Sequence, residues 1–444
     1  MVISTQTEFI LSLFVLLAVA LMAGELALRL GQVALVGQLL AGVLLGPYLL
    51  GPYIGITTAT GVSTSLTAIQ LLATFLILFV AGMEMGPEDI YGMEAGTFLT
   101  GVGIFLVPFG SVLLVGHFVL PGLSLLLLLF VAVTLSITAL PVMGIMIAEF
   151  GLTGKPFGRM AMAVALVNEL TAITVFAILL QIDNGGGHAT FAALGIAVGS
   201  VLLFLGVVLA AHWVLARLHD RPAWQRFASR AATALRTRDA GFAILITLAL
   251  GAALLSQSLG LTYVIGAFYA GILVTPKTVG ERAYKSARSI LSVICWGLFI
   301  PLFFAITGLQ VDLAVFLTVA GLGTILALFG VAATSKVGAG TVAAKARGWE
   351  TPDALAFGFM VNSRGAVEIA MAVILLGDGI LTAKLFTLVV AVGMATTILA
   401  PVGAMRSWMM TRKSREELVK RMPHLARSRD TGGLAPPAAR RDEL

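Results

Sequence analysis

Long apolar runs separated by short polar interruptions dominate the chain, and thirteen of the runs are close to bilayer length. They fall near 7–28, 33–50, 66–85, 94–116, 124–148, 157–182, 189–215, 240–256, 260–275, 289–310, 314–344, 352–376 and 383–407. A hydrocarbon core about 30 Å thick takes roughly twenty helical residues to cross. The pattern therefore predicts an all-α membrane protein with thirteen transmembrane helices. The first run is not expected to be a cleavable signal, because nothing basic precedes it and Glu8 stands at its start.

The polar interruptions set the orientation. With the N-terminus outside, the cytoplasmic connections and the tail hold 25 of the 28 Lys and Arg residues. Only Lys384 falls in an outer connection, while Lys336 and Arg364 lie within apolar runs. An even span count or the reverse orientation would scatter these charges, so the positive-inside rule selects thirteen spans, N-terminus outside and C-terminus cytoplasmic. The expected location is the inner membrane.

Composition agrees: 59% of residues are hydrophobic and 11% charged, with mean hydropathy +1.02. The net charge of +6 becomes a topology signal, which removes nucleic acid as a partner. The single Cys295 excludes a disulfide framework or a cysteine metal cluster.

The Arg-rich stretch 216–239 divides the chain, and Trp224 and Phe227 within it suggest an interfacial amphipathic helix. Six spans precede the joining seventh and six follow, entered from opposite sides, which is the arithmetic of two inverted six-helix repeats. Residues 408–444 are basic and rich in Gly, Pro and Ala near their end, and are expected to be disordered. The terminal Arg-Asp-Glu-Leu resembles a lumenal retrieval signal, but this end is expected in the cytoplasm.

Few ionisable residues lie deep, and each is expensive in lipid. At 1.5 Å per residue, Glu169 and Arg364 both fall about 18 Å from the cytoplasmic side, Lys336 about 14 Å and Thr138 about 15 Å. Four polar positions from four spans thus share one depth. Two of those spans also look broken. Span 5 carries Thr134-Leu135-Ser136-Ile137-Thr138-Ala139-Leu140-Pro141, and Pro141 has no N–H for the carbonyl of Ile137. Span 12 carries Asn362-Ser363-Arg364-Gly365 at its centre. Interruptions at matching positions of two halves point to a transporter binding site, where unwound carbonyls ligate a cation and half-helix ends act as partial charges.

Each of these residues also has a structural reading. Ser136 and Thr138 can satisfy their own helix. Glu368, four residues after Arg364, can simply neutralise it. Lys336 has either a buried partner or a route to the interface. Asn168 can be a helix-packing hydrogen bonder. Glu84 sits at the inner end of span 3, and the five histidines lie near membrane edges or outside. Glu169 alone lacks an easy structural role.

The run Gly37-Gln38-Leu39-Leu40-Ala41-Gly42-Val43-Leu44-Leu45-Gly46-Pro47 resembles the second helix of monovalent cation:proton antiporters of the Kef/Nap type. Phe79-Val80-Ala81-Gly82-Met83-Glu84, Pro301-Leu302-Phe303-Phe304, Ser335-Lys336-Val337-Gly338 and Arg364-Gly365-Ala366-Val367-Glu368 match in the same order. The resemblance covers nearly all of residues 7–407. It implies that spans 5 and 12 cross as broken helices. It also implies a division of a transmembrane domain over 1–407: residues 1–85 and 240–310 form a dimerisation part, and 94–182 with 314–407 form an ion-translocating core. The stretch 189–239 links them. A homodimer follows. The family's span-6 pair, Asp-Asp or Asn-Asp, becomes Asn168-Glu169 here, one methylene longer at the second member, which bears directly on ion selectivity. Many Kef-type relatives carry a C-terminal nucleotide-binding domain, and this tail, lacking a glycine-rich fingerprint, is expected to carry none.

The implied ion- and proton-binding residues are Glu169, Asn168, Thr138 and Ser136, with Glu169 holding the monovalent cation and Lys336, Arg364 and Glu368 as supporting charges. The expected activity is exchange of Na+ or K+ for H+, by an elevator-like movement of the core and with no cofactor. Asn168 carries no proton, so the pattern leans toward one-for-one electroneutral exchange. The alternatives are a passive cation channel, a proton-coupled exporter of an organic ion, and a membrane-embedded enzyme. No His-Glu-x-x-His or Gly-x-Ser-x-Gly motif supports the last.

Overall fold

The computed structural model describes residues 5–54, 63–84, 93–149, 152, 156–184, 191–219, 221, 240–279 and 281–421. Among them every regular element is helical. In chain order these are α1 (Thr5–Arg29), α2 (Ala34–Leu44), α3 (Gly51–Ile54), α4 (Thr64–Met83), α5 (Ala95–Val119), α6 (Leu125–Thr134), α7 (Leu140–Glu149), α8 (Pro156–Asn184) and α9 (Phe191–His219). After the linker come α10 (Ala240–Ser258), α11 (Tyr263–Leu273), α12 (Pro276–Val279), α13 (Glu281–Ile294), α14 (Ile300–Leu309), α15 (Val319–Ala346), α16 (Thr351–Val361), α17 (Ala366–Gly377) and α18 (Ala383–Arg421).

Every expected span has helix at its place, and nine helices among the described residues are long and apolar enough to cross a membrane. Ala34–Leu44, Leu125–Thr134, Phe242–Ser258 and Tyr263–Leu273 are shorter apolar helices. Starts follow local chemistry: the Ser63 and Ser124 hydroxyls accept the Leu66 and Leu127 amides at 3.3 Å, satisfying donors a helix start leaves free. Large apolar side chains such as Phe14, Met22, Leu99 and Leu254 point outward, as lipid-facing residues do.

The helices pack in two groups. In one, α1 and α2 pack together and against α14, while α4 packs on α11 and α14, and α11 on α10. In the other, α5 packs on α8, α6 and α15, α15 on α16 and α18, and α16 on α18. Glycine permits the closest approach in the first group. A Cβ at Gly42 would stand 1.9 Å from the Ala305 carbonyl oxygen, and one at Gly308 2.2 Å from that of Leu39. Backbones in van der Waals contact replace the hydrophobic drive that helices lack in lipid.

Both spans expected to be broken are indeed half-helices, α6–α7 and α16–α17. Two expectations change. Span 10 is longer than its apolar run: α13 brings the polar turns of Glu281–Arg288, and a π-helical segment, Cys295–Phe299, joins it to α14. Finally, α18 continues to Arg421, so residues 408–421 are helical rather than disordered. Their Ser-Arg-Glu-Glu-Leu-Val-Lys run is made of fair helix formers that extend a helix already nucleated in the apolar segment. The rest of the tail and residues 222–239 of the expected interfacial helix, with Trp224 and Phe227, lie outside the described residues.

Candidate ion site at the crossing of two broken helices

The first break runs from Leu135, which caps α6, to Leu140, which opens α7 with Pro141 in its first turn, where no intrahelical N–H is missed. The second runs from Asn362 to Gly365. The two breaks are tied to each other. The Thr138 hydroxyl donates to the Val361 carbonyl at 2.8 Å, and the Ala139 amide donates to the Ser363 carbonyl at 3.0 Å. The Arg364 guanidinium donates to the Leu135 carbonyl. Backbone groups freed by one break are thus satisfied by the other, as burial of a peptide group requires.

Charges sit where the half-helix dipoles call for them. Helix α6 ends in carbonyls carrying partial negative charge, and two cations answer it: Arg364 at Leu135 and Lys336, whose ammonium donates to the Ser136 carbonyl. Helix α7 begins with partial positive charge, and α8 presents Asn168 and Glu169 to it. Asn168 Oδ1 accepts the Thr138 amide at 2.6 Å, and Glu169 Oε2 accepts the Leu140 amide at 3.0 Å. On α17, Glu368 Oε1 accepts from Arg364 at 3.1 Å, and both side chains are 1% exposed. The Thr397 hydroxyl of α18 donates to the Arg364 carbonyl at 3.3 Å.

All seven residues singled out in the sequence meet here, and Ser136, Thr138, Asn168, Glu169, Lys336 and Arg364 are fully buried. Their roles divide. The Ser136 hydroxyl turns back to the Ala132 carbonyl at 2.6 Å, and the Thr138 hydroxyl serves the crossing. Asn168 directs its oxygen to the backbone, leaving Nδ2 without a partner. Lys336 pairs with neither Glu169 nor Glu368 but with a carbonyl. Glu169 Oε1 is likewise buried and unpartnered. Sequence reasoning used Asn362 and Ser363 only as helix breakers. Both are fully buried, and both atoms of the Asn362 side-chain amide and the Ser363 hydroxyl lack partners. A polar side chain at midspan with no structural partner was the signal that marked Glu169 and applied equally to Asn362.

A cavity of about 40 Å³ lies between the two helix groups. Ala139, Pro141 and Ala366 form its wall beside the breaks, and Glu84, Trp296 and Phe304 form the opposite wall.

A family model described as sodium/hydrogen exchanger, transmembrane, matches residues 14–406. Among curated proteins, the chain is 26% identical over 368 residues to Cation/H(+) antiporter 18 of Arabidopsis thaliana, covering 80% of this chain and 43% of that protein. It is 29% identical over 241 residues to the glutathione-regulated potassium-efflux system protein KefC of Cronobacter sakazakii, covering 54% and 36%. The chain therefore spans less than half the length of these relatives. Among solved structures, the sodium proton antiporter MjNhaP1 from Methanocaldococcus jannaschii at pH 8 superposes with TM-score 0.59 at 14% identity, covering 90% of this chain and 97% of that one.

Proposed function

The chain belongs to the sodium/hydrogen exchanger family, and from that premise we propose that it exchanges a monovalent cation, Na+ or K+, for protons at Glu169. The observation that carries the reading is the Glu169 carboxylate itself: 0% exposed, one oxygen fixed by the Leu140 amide and the other without a partner. A buried carboxylate oxygen lacking a donor is costly, and either a proton or a small cation relieves it. The two occupants exclude each other on one oxygen, which is the coupling that exchange requires. The names of relatives support the same substrates: a cation/H(+) antiporter of Arabidopsis thaliana, a K(+)/H(+) antiporter of Saccharomyces cerevisiae and a potassium-efflux system protein.

Site roles follow from the bonds already described. Glu169 holds the cation or proton, with the free Asn362 oxygen and the unwound carbonyls as further ligands. Asn168 fixes the Thr138 amide, and Thr138 locks the crossing; Ser136 contributes its carbonyl to Lys336. Lys336, Arg364 and Glu368 set the field around the site. With Glu169 empty, Lys336 and Arg364 balance Glu169 and Glu368, and a bound proton or cation adds the same single charge. That equality favours electroneutral one-for-one exchange.

In the transport cycle proposed here, the chain crosses an inner membrane thirteen times as two inverted repeats, N-terminus outside. The group built on α1, α2, α4, α10, α11 and α14 forms the dimer scaffold. The group built on α5–α8 and α15–α18 carries the site as one body in an elevator-like movement. The cavity beside Glu84 gives the route from the cytoplasmic side. The test is proton efflux from proteoliposomes against sodium, potassium, lithium and an inert cation. Cation-dependent, voltage-insensitive efflux supports the reading. Proton-independent cation leak would indicate a channel, and proton movement only with an organic ion would indicate an exporter.

A further inference from the structure

Glu368 carries a second buried carboxylate oxygen, Oε2, with no hydrogen-bond partner, and Arg364 Nε is likewise unpartnered. Both residues line a cavity of about 10 Å³. That is about the volume one water needs, and a water there has the polar neighbours it requires. The cavity lies where the two helix groups meet. Leu35, Val36 and Leu39 of α2 form one side, and Gly365, Gly393 and Thr397 form the other. Glycine at 393 leaves room for the carboxylate: a Cβ there would stand 2.8 Å from Glu368 Oε1. The space is therefore shaped around the carboxylate.

Two cations act on Glu368, Arg364 from its own segment and Lys336 from α15. Helices α2, α4, α6 and α14 carry no titratable residue, and α18 has none between Lys384 and Arg406. Among the described residues of these helices, no second carboxylate faces it.

We infer that Glu368 is a second proton-binding position, with a water in the adjoining cavity bridging Oε2 to Arg364 Nε and delivering the proton. The inference rests on exchange at Glu169. Cation loading neutralises Glu169, whereas protonation of Glu368 leaves the Arg364 and Lys336 charges uncompensated. The crossing then becomes more positive and repels a cation from Glu169. The second proton thus acts as an antagonist of cation binding, through the field and not through the ligand shell. The second proton binds and leaves without being carried across, so the exchange itself stays one for one.

The experiment measures apparent cation KM against pH in proteoliposomes for the wild type and Glu368→Gln. One competing proton raises KM by about tenfold per pH unit on the acid side, and two linked protons approach about a hundredfold. The wild type is expected to exceed tenfold and Glu368→Gln to fall back to tenfold while still exchanging. A wild-type rise of tenfold throughout, or a variant as steep as the wild type, overturns the inference and leaves exchange at Glu169 standing. Absence of exchange with every cation overturns the antiporter reading, and this inference with it. If Glu368→Gln does not fold, the wild type decides alone. Protons released per cation bound, from calorimetry in buffers of different ionisation enthalpy, should exceed one in an acid window, and one or fewer at every pH refutes the second site.

Discussion

Thr138→Val tests the crossing of the broken helices. Valine keeps the shape of threonine and replaces only its hydroxyl, which donates to the Val361 carbonyl at 2.8 Å. Val361 is the last residue of α16, and the chain breaks at Asn362, so no amide one turn on can take over. Interhelical hydrogen bonds inside membranes contribute about 0.6 kcal/mol on average and at most about 1.7. An orphaned buried carbonyl raises the cost toward about 1–3 kcal/mol. A loss of about 1–2 kcal/mol shifts the balance between intact and loosened crossing by roughly five- to thirty-fold. The other ties, Ala139 to Ser363 and Arg364 to Leu135, remain, so the fold should persist. In a fluorescence melt in detergent, Thr138→Val should unfold at lower temperature than the wild type, and exchange should slow in liposomes. Thr138→Ser, which keeps the hydroxyl, should recover both. Equal melting of Val and wild type, or failure of Ser to recover what Val loses, would refute the argument.

Three further outcomes follow. Lys336→Gln keeps a donor for the Ser136 carbonyl but removes a charge, so apparent cation affinity in the exchange assay should rise as stability falls modestly. Gly82→Ala places a Cβ 1.9 Å from the Phe268 carbonyl oxygen and should sharply reduce folded protein on size exclusion, whereas Gly199→Ala, with open space, should not. In a Cys295→Ala background, Gln225→Cys should label from the cytoplasm and Gly187→Cys from outside; labelling from one side would break the thirteen-span topology.

Much of this site is legible in the residues. Pro141 and the Asn362-Ser363-Arg364-Gly365 run announce the breaks because they violate helical preference where lipid tolerates no open backbone. Depth alone brings Glu169, Lys336 and Arg364 to one level. The partner of Lys336 was not legible, since a backbone carbonyl leaves no trace in side-chain sequence. The same holds for Asn168, whose oxygen serves the Thr138 amide. The π-helical segment Cys295–Phe299 is equally silent, because its register depends on packing with α4 and α14 rather than on composition. Residues 408–421 look disordered by charge, yet propagation from an existing helix needs no new nucleus.

Glu169→Gln bears on the central claim most directly. Glutamine keeps an oxygen for the Leu140 amide, so the crossing and the fold should survive, while the charge that holds a cation and the proton that replaces it are both removed. Reconstituted beside the wild type at matched folded content, Glu169→Gln should show no cation-driven proton movement with sodium, potassium or lithium. Glu169→Asp should retain exchange with a shifted apparent affinity. Exchange by Glu169→Gln near the wild-type rate would contradict the account.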